Sequence, residues 1–185
     1  AALSLWFVSA AILPEMLREA AVTPFRQALL SSGVQIGFVL GALASAFTGL
    51  PDRFDPRKVF AASALLAAAA NATLLIAPIG GDFAIAARMA TGALLAGGYP
   101  VGMKIAVGWG VKDRGLLVGL LVAAVTLGSA LPYLIAFGGG ADWRSTVIAV
   151  SIASTVAASL ALGAKLGPYH VTAARFNARV ITEAW

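Results

Sequence analysis

The sequence predicts an all-α integral membrane protein, a bundle of six transmembrane helices, and three observations carry that reading. Of the 185 residues, 60% are hydrophobic and 11% charged, against about 45–50% apolar and about 25% charged in soluble domains. The mean hydropathy is +0.90, and apolar runs long enough to cross about 30 Å of hydrocarbon as helices recur throughout. Runs such as 59–79 and 115–137 are apolar on all sides, whereas a membrane strand would alternate apolar and polar positions over about 10 residues.

Six spans follow in order, at 1–20, 24–48, 58–79, 83–109, 114–137 and 145–166. The first has no basic residue before Leu3 and continues through Pro14 to Leu17, so it reads as a helix with a trimmed start, not a cleaved signal peptide. Thr23-Pro24 opens the second span and Asp82-Phe83 the fourth, each as a capping residue ahead of a first turn. The third begins in the basic pair Arg57-Lys58 and stops before the turn signal Gly80-Gly81-Asp82. The fifth follows Lys112-Asp113-Arg114 and ends at Gly138-Gly139-Gly140-Ala141-Asp142, which leads into the sixth. Residues 1–167 therefore form one transmembrane domain. The basic segment 168–185 carries Phe176, Val180, Ile181 and Trp185 at loose helical spacing; an interfacial helix and an unstructured stub are equally compatible with it.

The net charge of +5 is explained by sidedness without invoking nucleic acid. Nine cations (Arg53, Arg57, Lys58, Lys104, Lys112, Arg114, Lys165, Arg175, Arg179) fall at one end of the spans and four (Arg18, Arg26, Arg88, Arg144) toward the other. The positive-inside rule makes the first end, and with it both termini, cytoplasmic in a bacterial inner (plasma) membrane. Trp6, Trp109 and Trp143 lie near proposed span ends, where interfacial anchors are expected.

Chemistry is sparse. With Cys 0 and one histidine, His170 in the tail, neither a thiolate metal site nor an H-E-x-x-H zinc site can form. No metal or cofactor is called for. A membrane serine protease lacks its Gly-x-Ser-Gly nucleophile and membrane histidine, and an aquaporin-type channel lacks its Asn-Pro-Ala pair. Two classes remain: a solute transporter, and a non-transporting membrane interaction or regulatory module.

The segment Thr48-Gly49-Leu50-Pro51-Asp52-Arg53-Phe54-Asp55-Pro56-Arg57-Lys58 favours the first and leaves the second open, since half a transporter can also serve to regulate or scaffold another membrane protein. The segment resembles the loop between the second and third helices of major facilitator superfamily transporters, usually Gly-x-x-x-Asp-Arg-x-Gly-x-Arg-Lys. Asp52, Arg53, Arg57 and Lys58 match, while Thr48 and Asp55 stand at the glycine positions. Arg88-Met89-Ala90-Thr91-Gly92 is similar to the family's Arg-x-x-x-Gly element in the fourth helix, and the fifth span shares the family's glycine content without its complete Gly-Pro signature. Gly37-x-x-x-Gly41 echoes Gly115-x-x-x-Gly119, as two inverted three-helix repeats would. The resemblance covers nearly the whole chain and implies one six-helix half of a transporter. The chain would then be a fragment of a longer transporter, one product of a split gene whose second half is separately encoded, or a protomer that pairs with an identical chain in a parallel homodimer, the arrangement favoured here.

The resemblance places Arg88 on a cavity face with Gly92 and Tyr99, at i, i+4 and i+11; snorkelling to headgroups is the competing reading. On the cavity reading, Arg88→Gln abolishes transport and spares assembly. Glu15, after Pro14, would give proton coupling if it paired with Arg88, against the plainer reading of a solvated helix end. Gln35 and Asn71 are uncharged candidates for binding solute, with helix joining ranked first for Asn71. The resemblance makes Asp52, Arg53, Arg57, Lys58, Asp113 and Arg114 a cytoplasmic gate, with Asp52 facing the helix N-terminus at Arg114 of the other half and Asp113 paired with Arg53 or Arg57. The apolar spans lean toward an amphipathic or weakly charged small solute.

Overall fold

The computed structural model describes residues 2–138 and 142–169, without the side chains of positions 51 and 52. All regular structure among these residues is helical: α1 (Ser4–Glu19), α2 (Pro24–Thr48), α3 (Leu50–Arg53), α4 (Pro56–Ala72, continued by a 3-10 turn at Thr73–Leu75), α5 (Asp82–Leu95), α6 (Tyr99–Val107), α7 (Arg114–Gly138) and α8 (Trp143–Gly163). The expectations placed on Gly139, Gly140, Ala141, His170, Arg175, Phe176, Arg179, Val180, Ile181, Glu183 and Trp185 concern residues outside the described ones.

Among the described residues, four helices are long and apolar enough to cross a membrane by themselves: Pro24–Thr48, Pro56–Leu75, Arg114–Gly138 and Trp143–Gly163. The expected fourth span is not one helix. It breaks after Leu95 and restarts at Tyr99, because Pro100 has no N–H to give the Ala96 carbonyl and its ring crowds that group, while Gly97-Gly98 gives the chain freedom to turn. Pro14 and Pro132, by contrast, sit inside unbroken helices. The third span ends earlier than expected, tightening at Thr73–Leu75 ahead of Pro78. Asp82 is the first residue of α5, not its cap, since Gly81 holds that position.

The core forms where single faces of α1, α2, α4, α5 and α8 meet. Leu5, Val8, Ile12 and Met16 recur every three or four residues along α1 and are all buried against Val34, Ala67, Ala84, Ile85, Val147 and Val150. α2 packs most extensively on α5, α4 on α8, and α1 on α7 and α8. Glycine sets the first of these. A Cβ at Gly37 would strike the backbone of Met89, one at Gly41 that of Ala93, and one at Gly92 that of Val34, so both helices run in backbone contact, as small residues permit. Gly115 and Gly119 have open space where a Cβ would stand; their spacing echoes Gly37 and Gly41, but they make no such close approach.

The outward faces are apolar. Pro132 is the buried residue of α7, and Leu116, Leu120, Leu127, Leu134 and Phe137 are 66–93% exposed, as Val39, Leu40, Leu43 and Phe47 of α2 are by half or more. Such a surface is stable only against lipid or another apolar surface.

The two ends differ. At one, Arg144 forks onto Glu19 (Nη1–Oε1 3.0 Å, Nη2–Oε2 2.9 Å) and the Trp143 indole donates to the same carboxylate at 3.1 Å. There Arg26 also donates to the Gly80 carbonyl at 2.7 Å and pairs with Asp82 at 2.9 Å. Trp143, 1% exposed, is therefore a core residue, not the expected interfacial anchor, and Trp6 packs edge-on to Phe38 at 5.0 Å. At the other end, Arg57 donates to the Ala164 carbonyl at 3.2 Å and the Tyr169 N–H to that of Gly108 at 3.0 Å.

Candidate functional site

Three groups of candidate residues occupy three different places. The first is a buried network around Arg88, which is 1% exposed and so does not snorkel. Its Nη1 donates to the Asn71 Oδ1 at 2.8 Å, and its Nη2 to the carbonyls of Leu5 at 2.9 Å and Trp6 at 3.3 Å. Asn71, fully buried, passes the link on by donating to the Ser151 hydroxyl at 3.0 Å. One guanidinium thus ties α5 to α1 and α4, and through Asn71 to α8. A charge in this position requires such partners, since a cation at mid-membrane costs about 2.5–3.5 kcal/mol on insertion scales.

Glu15 is not among the partners of Arg88; its Oε2 is buried and accepts no hydrogen bond, so the pair that proton coupling would need is not formed. Gln35 is exposed on α2 and, with its amide oriented to suit, donates to the carbonyls of Ser31 and Ser32 in its own helix. Ser151 was the member of the network that sequence reasoning missed; one serine among several in an apolar helix gives no signal until the partner helix is known.

The second place is the concave face of α1, α2, α6 and α7. Two adjoining hollows share Tyr99. One, about 130 Å³, lies among Leu3, Phe60, Gly98, Gly102 and Gly128. The other, about 240 Å³, is walled by Trp6, Phe7, Phe38 and Val125. No charged residue lines either. The break before Tyr99 cancels the i+11 helical spacing that put it on the face of Arg88: Arg88 turns into the bundle, Gly92 lies against Val34, and Tyr99 faces the hollows. The Ser4 hydroxyl, bonded to the Gly128 carbonyl at 2.8 Å, fixes α1 to α7 beside them.

The third place is the charged turn. Here the two departures from the family pattern have local explanations. Gly49 takes the left-handed conformation (φ 61°) that ends α2, which supplies the turn despite Thr48. Asp55, at a glycine position, caps α4 by accepting from the Arg57 N–H at 2.9 Å. It also holds the Arg57 guanidinium through two further bonds, at 3.1 and 2.8 Å. Arg57 therefore pairs with Asp55, not with Asp113 as expected, and no ion pair joins Arg53 to Asp113 among the described residues. Arg114 donates to the Gly110 carbonyl at 3.2 Å in its own helix turn. The side chain of Asp52 lies outside the described residues.

The hydrogen bond from Arg57 is the main reason the Asp55 carboxyl is lowered to about 2 from 3.8. A depressed carboxylate stabilises above its unfolded value and loses that effect as pH falls through its folded one. The clamp from Asp55 through Arg57 to Ala164 is therefore expected to stay closed from pH 8 down to about 4. Hydrogen exchange at the start of α4 should be flat over that range apart from the intrinsic rate, and Asp55→Asn should raise it at every pH.

Apolar helices bonded through a buried network, with outward faces that exclude water, define an integral membrane helical bundle. Over residues 1–180 the chain matches the family model described as Major Facilitator Superfamily. It belongs to that superfamily, as a transporter half-domain of this size, and members of the family are membrane transporters, not enzymes. No curated protein and no solved structure gave a match.

Proposed function

We propose that residues 1–167 work as one six-helix half of an alternating-access transporter for a small, amphipathic or weakly charged solute. Residues 168–185 form a cytoplasmic tail, both termini are cytoplasmic, and the membrane is a bacterial plasma membrane. The observation that carries this reading is the concave face around Tyr99, flanked by the exposed apolar surfaces of α2 and α7. Such a face is open in one half and becomes a cavity when a second half covers it. The pairing of helices supports two inverted repeats: α2 against α5 matches α7 against α1, and α4 against α8 lies between them. Tyr99 with Trp6 and Phe38 contacts solute, and the Arg88–Asn71 network holds the helices that carry them.

The second half is a further stretch of the same polypeptide, a separately encoded chain, or an identical chain in a parallel dimer, with Asp52 facing the Arg114 end of α7 across the junction. A chain carrying Asp52→Cys and Arg114→Cys, otherwise free of cysteine, is expected to give a disulfide-linked dimer in membranes. An exclusively intramolecular product would count against the homodimer.

A further inference from the structure

We infer that the cleft between the charged turn and α4–α5 holds an anionic phospholipid of the surrounding bilayer, its phosphate on Arg53 and Lys58 and one acyl chain along Ala62, Leu66 and Leu94. The cleft measures about 530 Å³ and is bounded by these residues together with Phe54 and Val59. Its polarity changes along its length. Lys58, Ala62 and Leu66 succeed one another at intervals of four on α4, so one helix face runs from a cation to a leucine over about 12 Å. Ala62 leaves the trough that its neighbours wall. That gradient, charge at the water boundary and hydrocarbon below it, is the profile of a phospholipid and unlike that of a free anion.

The charges at the mouth are available. Asp55 also lines the cleft, but its carboxylate is engaged by three bonds from Arg57, whose Nη1 goes on to the Ala164 carbonyl. Among the described residues, Arg53 and Lys58 make neither an ion pair nor a side-chain hydrogen bond, and both are exposed. Phe54, 61% exposed beside them, has the place of an aromatic at the headgroup level. This assignment is independent of the solute and of the second half; it leaves Asp52 as the gate residue and gives Arg53 and Lys58 a different partner.

Native mass spectrometry of the delipidated chain, titrated with palmitoyl-oleoyl phosphatidylglycerol or phosphatidylcholine, tests it. One phosphatidylglycerol should bind in preference to phosphatidylcholine, and Arg53→Gln with Lys58→Gln should weaken it about 30-fold, from the usual contribution of two basic residues at an anionic surface. Ala62→Phe, which fills the trough and keeps both charges, should weaken it as well. Glycerol 3-phosphate should fail to compete. Equal binding of the two lipids, competition by glycerol 3-phosphate, or an equal loss in Lys112→Gln with Arg114→Gln, two exposed cations of the same end, would overturn the assignment.

Discussion

Replacing Arg88 with Gln is expected to destabilise the bundle before it affects any solute. Glutamine is too short to reach the carbonyls of Leu5 and Trp6, so α1 loses its attachment to α5, and Asn71 loses its donor. Bonds to charged groups contribute about 1.5–3 kcal/mol in soluble cores, but in bilayers side-chain bonds average about 0.6 and reach about 1.7 kcal/mol, because unfolded helices also find partners. The bilayer values govern here. The three bonds of Arg88 then give a loss of about 2–4 kcal/mol, read as a shift in the detergent-induced unfolding curve. Asn71→Ala combined with Arg88→Gln should fall short of additivity by about 1 kcal/mol, since both act on one network. Simple additivity would mean that the two side chains do not share their energy. This revises the expectation from the cavity reading of Arg88, by which assembly would survive the change.

Gly37→Ala and Gly92→Ala are each expected to lower stability by about 2 kcal/mol, within the range for overpacking a close contact. The added methyl meets backbone, which cannot rotate aside as a side chain can. Gly115→Ala and Gly119→Ala are the controls. They meet nothing within 4 Å, and alanine favours the helix by about 1 kcal/mol over glycine, so they should be neutral or stabilising in the isolated chain. The same unfolding curves decide it: equal losses at all four positions would show that the cost does not come from the crossing of α2 and α5.

The helices themselves were legible because hydropathy alone reports them; the second span is found at Pro24–Thr48 as expected. The fourth was misjudged for a physical reason. A window of apolar residues looks unbroken across Gly97-Gly98-Tyr99-Pro100, and only backbone chemistry shows the stop. Hydropathy also cannot say which way a polar group points. Arg88 is a charge in a span by sequence, and whether it faces solute, lipid or the bundle depends on Asn71, seventeen residues before it, and on Leu5, eighty-three before it. The Glu19–Arg144 fork across the chain was likewise hidden, since the sequence shows only two charges at separate span ends. The charged turn was the most legible feature, yet its matched residues do different work: Arg57 closes a clamp within the chain, and Arg53 remains exposed.

On the proposed function, the face around Tyr99 borders a solute path and not lipid. Because the sequence contains no cysteine, Tyr99→Cys and Val125→Cys can be labelled selectively in native membranes with a membrane-impermeant maleimide. Labelling of both, slowed by transported solute, is the predicted result, with Leu160→Cys on the exposed face of α8 left unlabelled. If Tyr99→Cys and Val125→Cys resist the reagent from both sides of the membrane as Leu160→Cys does, the face lies in lipid and the transport path is not there.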